Sequence, residues 1–102
     1  MIVEYIRYRL PEADSAGFER DYASAATHLA ASSYCLGYEL TRCIEEAGVY
    51  ILRIRWTSAN DHMQGFRHSP QFPPFLAAIR PYVSRIEEMR HYEVTAVASE
   101  AV

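Results

Sequence analysis

The chain offers no run approaching the ~18 uninterrupted apolar residues of a membrane-spanning helix, no cluster of basic residues, no G-x-x-x-x-G-K-[ST] loop and no C-x-x-C pair. The first absence excludes a spanning helix. The amino-terminal MIVEYIRYRL is interrupted by Glu4, Arg7 and Arg9, so it is not the apolar centre of a secretory signal either. A soluble, cytoplasmic protein is expected. Acids and bases are interspersed, with a formal net charge of −3. That leaves no basic face for a phosphate backbone and sets nucleic acids and nucleotides aside. Only two cysteines are present, Cys35 and Cys43. On one continuous strand they would stand about 26 Å apart at ~3.3 Å per residue, beyond disulfide reach. Both are expected to be reduced, and with no His/Cys cluster at ligand spacing the sequence carries no zinc signal.

What is present is apolar and aromatic. Half of the 102 residues are hydrophobic and 13% are aromatic, whereas a monomer of this size buries only roughly 60 to 65% of the surface its unfolded chain exposes. The surplus apolar surface points to a homo-oligomer.

Residues 2–10, rich in Ile, Val and Tyr, read as a strand stopped by Pro11. Residues 12–31 turn to Ala, Ser and charge, with Phe18, Tyr22, Ala25 and Leu29 recurring at helical spacing, the pattern of an amphipathic helix lying on a sheet. Residues 36–44 and 49–56 read as strands joined by Glu45, Glu46, Ala47 and Gly48, a hairpin with glycine in its turn. Phe72, Phe75, Leu76 and Ile79 mark a short second helix, restrained by Pro73 and Pro74 and ended by Pro81 and Tyr82. Residues 86–97 return as a long strand on which Ile86, Glu88, Arg90, Tyr92 and Val94 share a face, while His91 and Tyr92 point to opposite faces. The order β-α-β-β-α-β describes one ferredoxin-like α+β domain over residues 1–97, an antiparallel sheet with helices on one face. Residues 98–102 form a tail expected to fray. A second copy would close the bare face of the sheet.

The segment between the third strand and the second helix carries most of the chemistry. Ser58 can cap a helix beginning at Ala59, and Asp61 can return the cap. Ala59, His62, Met63 and Phe66 then fall on one face, so a histidine interrupts an apolar stripe. An imidazole of ordinary pKa, ~6.5, accepts a proton at neutral pH. Trp56, Phe66, Phe72 and Phe75 can stack on a flat ligand or form plain core, and Gly65 can leave room for that ligand. Tyr5 and Arg7 share a face of the first strand, Arg53 and Arg55 a face of the third. Such arginines either meet an anionic substrate or pair with Glu39, Glu88 or Glu93. Tyr34 and Tyr38 can border a pocket mouth, whereas His28 and His68 read as solvated.

The element order, the run W-T-S-x-x-D-H-x-x-G-F-x-x-S-P-x-F from Trp56 to Phe72 and the closing His91 and Tyr92 resemble the antibiotic biosynthesis monooxygenase family over nearly the whole chain. The resemblance implies a dimeric α/β barrel with a pocket in each subunit between sheet and helices. Activities in that family include cofactor-independent oxidation of polycyclic anthrones to quinones, haem degradation and autoinducer processing. In haem-degrading relatives a tryptophan stands at the position of Phe66, a haem-ligating histidine at that of Leu76 and an asparagine near that of Ile6. None is kept, which argues against haem. In quinone-forming relatives an asparagine and a tryptophan four positions apart line the pocket, and His62 and Phe66 hold the matching positions.

The expectation is therefore a homodimeric monooxygenase that binds a flat, hydroxylated, polyketide-like aromatic and oxidises it with O2, using no flavin, haem or metal. His62 would be the base and Phe66 the stacking wall, with Trp56, Phe72, Phe75, Tyr5 and Arg7 as further substrate contacts. A non-catalytic dimer that binds a ligand or partner is one alternative. A non-oxidative isomerase or cyclase on the same scaffold is another.

Overall fold

In the computed structural model, residues 1–99 are described; of the tail expected to fray, residues 100–102 lie outside them. The elements are β1 (Ile2–Arg9), α1 (Ser15–Ala30), β2 (Cys35–Arg42), β3 (Val49–Trp56), α2 (Phe72–Ile79) and β4 (Ile86–Glu93). All pairings are antiparallel and the strand order is β2-β3-β1-β4. This is the ferredoxin-like α+β fold. No described helix is long and apolar enough to cross a membrane, and both cysteines are free.

The core lies between the sheet and its helices. From α1, Phe18, Tyr22, Ala25 and Leu29 are all buried, as their spacing predicts. They meet Ile6 and Tyr8 of β1, Leu52, Ile54 and Trp56 of β3, and Phe75 and Ile79 of α2. Phe18 is the hub, its ring centroid 4.9 Å from those of Tyr8, Tyr50 and Tyr82 and 5.1 Å from that of Tyr22. The β2–β3 hairpin turns through Gly48 at φ +83°, where a Cβ would meet the Leu10 carbonyl oxygen at 2.0 Å. Only glycine fits there.

Several boundaries and faces differ from expectation. The first helix opens with a 3-10 turn at Glu12–Asp14, and its α-helix starts at Ser15. Pro73 and Pro74 sit inside the first turn of α2, where their missing N–H groups cost nothing. The chain does not stop at Pro81 but continues as a 3-10 helix, Arg80–Arg85. Strand β4 ends at Glu93, earlier than the sequence suggests. Its pairing with β1 shifts between Arg7↔Glu88 and Tyr8↔Ile86, leaving Glu87 as an extra residue. That bulge moves Ile86 off the face of Glu88, Arg90 and Tyr92 and onto the core side, where it packs against the buried cluster.

The helix expected from Ala59 also departs from regularity. After one turn it widens to a π-turn at Asp61–Gly65, in which the Phe66 N–H reaches both the Asp61 and the His62 carbonyls, and it tightens to a 3-10 turn at Phe66–His68. His62 and Phe66 are buried, but Ala59 and Met63 are exposed, so the stripe is narrower than the spacing implied.

Candidate functional site

Between the sheet and the helices lies a cavity of about 150 Å³, lined almost entirely by apolar side chains, including Ile6, Ile54, Trp56, Phe66, Phe72 and Phe75. Its polar walls include Glu4, His62 and Arg67. Strand alternation puts Glu4 on the same face of β1 as Ile6 and Tyr8, and the register places it opposite Ile54 of β3 and His91 of β4. A carboxylate thus stands in the middle of the core, 1% exposed.

Its partners are few. The Trp56 indole Nε1 donates to Glu4 Oε1 at 3.1 Å. His62 Nε2 lies 3.5 Å from the same oxygen, and His91 Nε2 lies 3.9 Å from Oε2. Oε2 itself has no hydrogen-bond partner among the described residues. Burial pushes the Glu4 carboxyl up to about 7, against the lowering pull of the Trp56 hydrogen bond and the Arg67 charge.

His62 is held as firmly. Its ring stacks on Trp56 at 4.6 Å with the planes 17° apart, and its Nδ1 shares a hydrogen bond with His91 Nε2 at 2.6 Å. Burial pushes His62 down to about 4, helped by the charges of His91 and Arg67. It is therefore neutral at pH 7. His91, at the solvent edge of the cluster, is lowered by burial and then by Arg67. The three side chains form a chain from solvent through His91 and His62 to the buried Glu4. Arg67 contributes a cation on the same wall, and its buried Nε is without a hydrogen-bond partner among the described residues.

The π-turn is what delivers two of these groups. Ser58 Oγ accepts the Asp61 N–H at 2.9 Å, whereas the Asp61 carboxylate accepts from the Thr57 hydroxyl rather than returning the cap. The wide turn that follows sends both His62 and Phe66 inward. Gly65 does not leave room for a ligand: the Tyr34 ring fills that space, with atoms 2.8 Å from where a Cβ would stand.

Of the residues singled out from sequence, Trp56, His62, Phe66, Phe72 and Phe75 all reach this cavity. Tyr5 and Arg7 do not. They lie on the opposite, bare face of the sheet, in a shallow recess with Ile51, Glu88 and Tyr92, where the Tyr5 and Tyr92 rings meet edge to face at 5.3 Å. Arg7 pairs with Glu87 at 2.9 Å and Arg53 with Glu39 at 2.6 Å. Of the last-strand pair, His91 faces the site and Tyr92 the bare face. Glu4 and Arg67 were not anticipated. The signal for Glu4 was its parity with Ile6 and Tyr8, two apolar neighbours on the same strand face.

Residues 1–78 match the profile of a family described as antibiotic biosynthesis monooxygenase; Glu4, His62, Phe66 and Arg67 fall within that match and His91 beyond it. The uncharacterized protein YczJ of Bacillus subtilis (strain 168) is 24% identical over 93 residues, which is 91% of this chain and 98% of YczJ. A candidate antibiotic biosynthesis monooxygenase from Bordetella bronchiseptica superposes with a TM-score of 0.76 at 25% identity, covering 92% of this chain and 96% of that one. Rv0793 from Mycobacterium tuberculosis shares the fold at a TM-score of 0.74 and 17% identity, over 96% and 98% of the two chains.

Proposed function

Because the chain belongs to the antibiotic biosynthesis monooxygenase family, we propose that it oxidises a small hydroxylated aromatic with O2 in this cavity, drawing the electrons from the substrate rather than from a flavin or haem. The observation that carries the reading is the buried Glu4 carboxylate, whose Oε2 is unpartnered on the wall of an apolar pocket. A dry apolar cavity of the order of 150 Å³ holds a ligand of about one aromatic ring, so the substrate is a one-ring phenol or enol, or a larger molecule that inserts one ring.

Glu4 Oε2 takes the phenolic or enolic proton, a role suited to a carboxyl whose pKa stands near the working pH. His62, neutral and already hydrogen-bonded to His91, then relays the proton outward rather than serving as the base itself. The unpartnered Arg67 Nε is available to steady the substrate anion. The deprotonated ring passes an electron to O2, and the two radicals combine to form a C–O bond. Loss of water from the peroxide leaves a carbonyl, so that a CH2 carbon and O2 become C=O and H2O. Trp56, Phe66, Phe72 and Phe75 supply the stacking walls.

The bare sheet face, carrying Tyr5, Arg7, Ile51 and Tyr92, is proposed as the seam of a homodimer, and the free cysteines suit a reducing cytoplasm. The test of the reading is oxygen uptake by the purified, metal-free protein against phenols, naphthols, hydroquinones and anthrones. Uptake should be abolished in Glu4→Gln and slowed in His62→Ala. Uptake equal in wild type and Glu4→Gln would sink it, and saturable binding with no oxygen consumed would replace it with a binding role.

A further inference from the structure

We infer that Glu4, His62 and His91 together form a binding site for a divalent transition-metal ion of the zinc class. The three residues come from β1, the π-turn and β4, so no sequence spacing announces them. One donor atom from each lies within 4.8 Å of the other two. Two imidazoles and one carboxylate are the donors of the facial triad that holds first-row transition metals with coordination positions left open.

Donors about 2.1 Å from a tetrahedral ion stand roughly 3.4 Å apart, against separations of up to 4.8 Å here, so the widest pair needs to close by on the order of 1 Å. His62 and His91, whose nitrogens now share a hydrogen bond at 2.6 Å, need to part slightly. His91, whose side chain is partly exposed where those of Glu4 and His62 are buried, is the member of the three with room to move.

A second, independent observation points to a ligand. Glu4 Oε2 belongs to a side chain 99% buried, has no hydrogen-bond partner among the described residues and faces His91 Nε2 at 3.9 Å. Removing a carboxylate oxygen from water without giving it a donor or a cation is unfavourable, and an ion between these groups would satisfy it. The outer supports of such a site are already in place. The Trp56 N–H fixes the other carboxylate oxygen at 3.1 Å, and the Trp56 ring fixes the plane of His62. The remaining coordination positions would face the apolar cavity, where a water or a phenolic oxygen could take them. The Arg67 cation on the same wall opposes the ion, so replacing it should tighten binding.

The inference shares its residues with the reading above but does not depend on turnover. An ion on Glu4 Oε2 removes the proton acceptor, so a redox-inert ion should silence cofactor-free oxidation.

The experiment is titration of the metal-free protein with Zn(II) by calorimetry and with Co(II) by visible absorption. One ion per chain is expected, with a Kd at or below the micromolar range. Affinity should fall by roughly tenfold or more in His91→Ala and in Glu4→Gln, stay unchanged in His28→Ala and rise in Arg67→Gln. Since His91 is partly exposed, its variant keeps the test open if Glu4→Gln folds poorly. Absence of saturable binding, or binding that survives both His91→Ala and Glu4→Gln, overturns the site. Binding as expected with no oxygen uptake by the metal-free protein would leave the site standing and defeat only the oxidation reading. Uptake that appears only on adding Fe(II) would do the same to its cofactor-free character.

Discussion

Glu4 and Trp56 are diagonal neighbours across β1 and β3, and among the described residues the Trp56 indole N–H makes the only hydrogen bond to the buried Glu4 carboxylate, at 3.1 Å. That bond holds the carboxyl lower than burial alone would leave it. Trp56→Phe should therefore raise the Glu4 pKa further and move the acid limb of oxygen uptake to higher pH. The lost ring volume and the orphaned oxygen should cost about 2 to 4 kcal/mol of stability. A pH profile of kcat/KM unchanged by the substitution would show that Glu4 is not the group titrating in it.

The pair Glu4 and His62 makes opposing contributions to stability against pH. Glu4 moves from 4.5 to about 7 on folding, so between those values the native state holds the extra proton and this group makes stability fall as pH rises. His62 moves from 6.5 to about 4, so the unfolded state holds the extra proton and this group makes stability rise as pH rises through that window. Each amounts to about 3 kcal/mol over its full range, and the wild type should be nearly flat between about pH 4.5 and 6.5. Thermal melts should show Glu4→Gln gaining stability as pH rises over that range and His62→Gln losing it. Parallel, flat profiles for both variants would contradict this.

How much of this was legible beforehand depends on what each element needed. The α1 face was readable because Phe18, Tyr22, Ala25 and Leu29 keep one helical period, and the hairpin because Gly48 stands between two strand-like runs. The proximity of His62 to Phe66 was readable as a spacing, but the exposure of Met63 was not, since that required the π-turn. Glu4 shows its parity in the sequence, yet only the pairing register brings His91 and Trp56 to it. The bulge at Glu87, invisible to strict alternation, decides which side Ile86 faces.

Phe18 lies outside the cavity but at the centre of the ring cluster. Phe18→Ala should cost about 3 to 5 kcal/mol, read as a lower urea midpoint, while folded protein in the cold keeps its site intact. A loss under about 1 kcal/mol would mean that the neighbouring tyrosines collapse into the gap.

At Gly65 helix propensity and packing disagree in sign. Propensity alone gives Gly65→Ala about 1 kcal/mol of added stability. The Tyr34 ring at 2.8 Å from the new methyl should reverse this and cost about 1 to 3 kcal/mol. The melting temperature decides which wins, and a rise would mean that Tyr34 swings aside freely.

On the bare sheet face, Tyr5 is 36% and Tyr92 45% exposed in the single chain. Light scattering should return twice the chain mass of 11.7 kDa, and Tyr5→Asp with Tyr92→Asp should return a monomer with unchanged circular dichroism. A monomeric wild type at micromolar concentration would remove the dimer.

The widened turn at Asp61–Gly65 amounts to one residue inserted into a helix. Excising a single residue from Met63 or Gln64 would give the backbone a regular helix, and local hydrogen bonding would improve. It would also turn everything downstream by about 100° relative to His62, carrying Phe66 out of the core and a different side chain into its place. The better helix would thus be the poorer protein: the insertion sets the reading frame in which an aromatic wall and a titratable group face the same space.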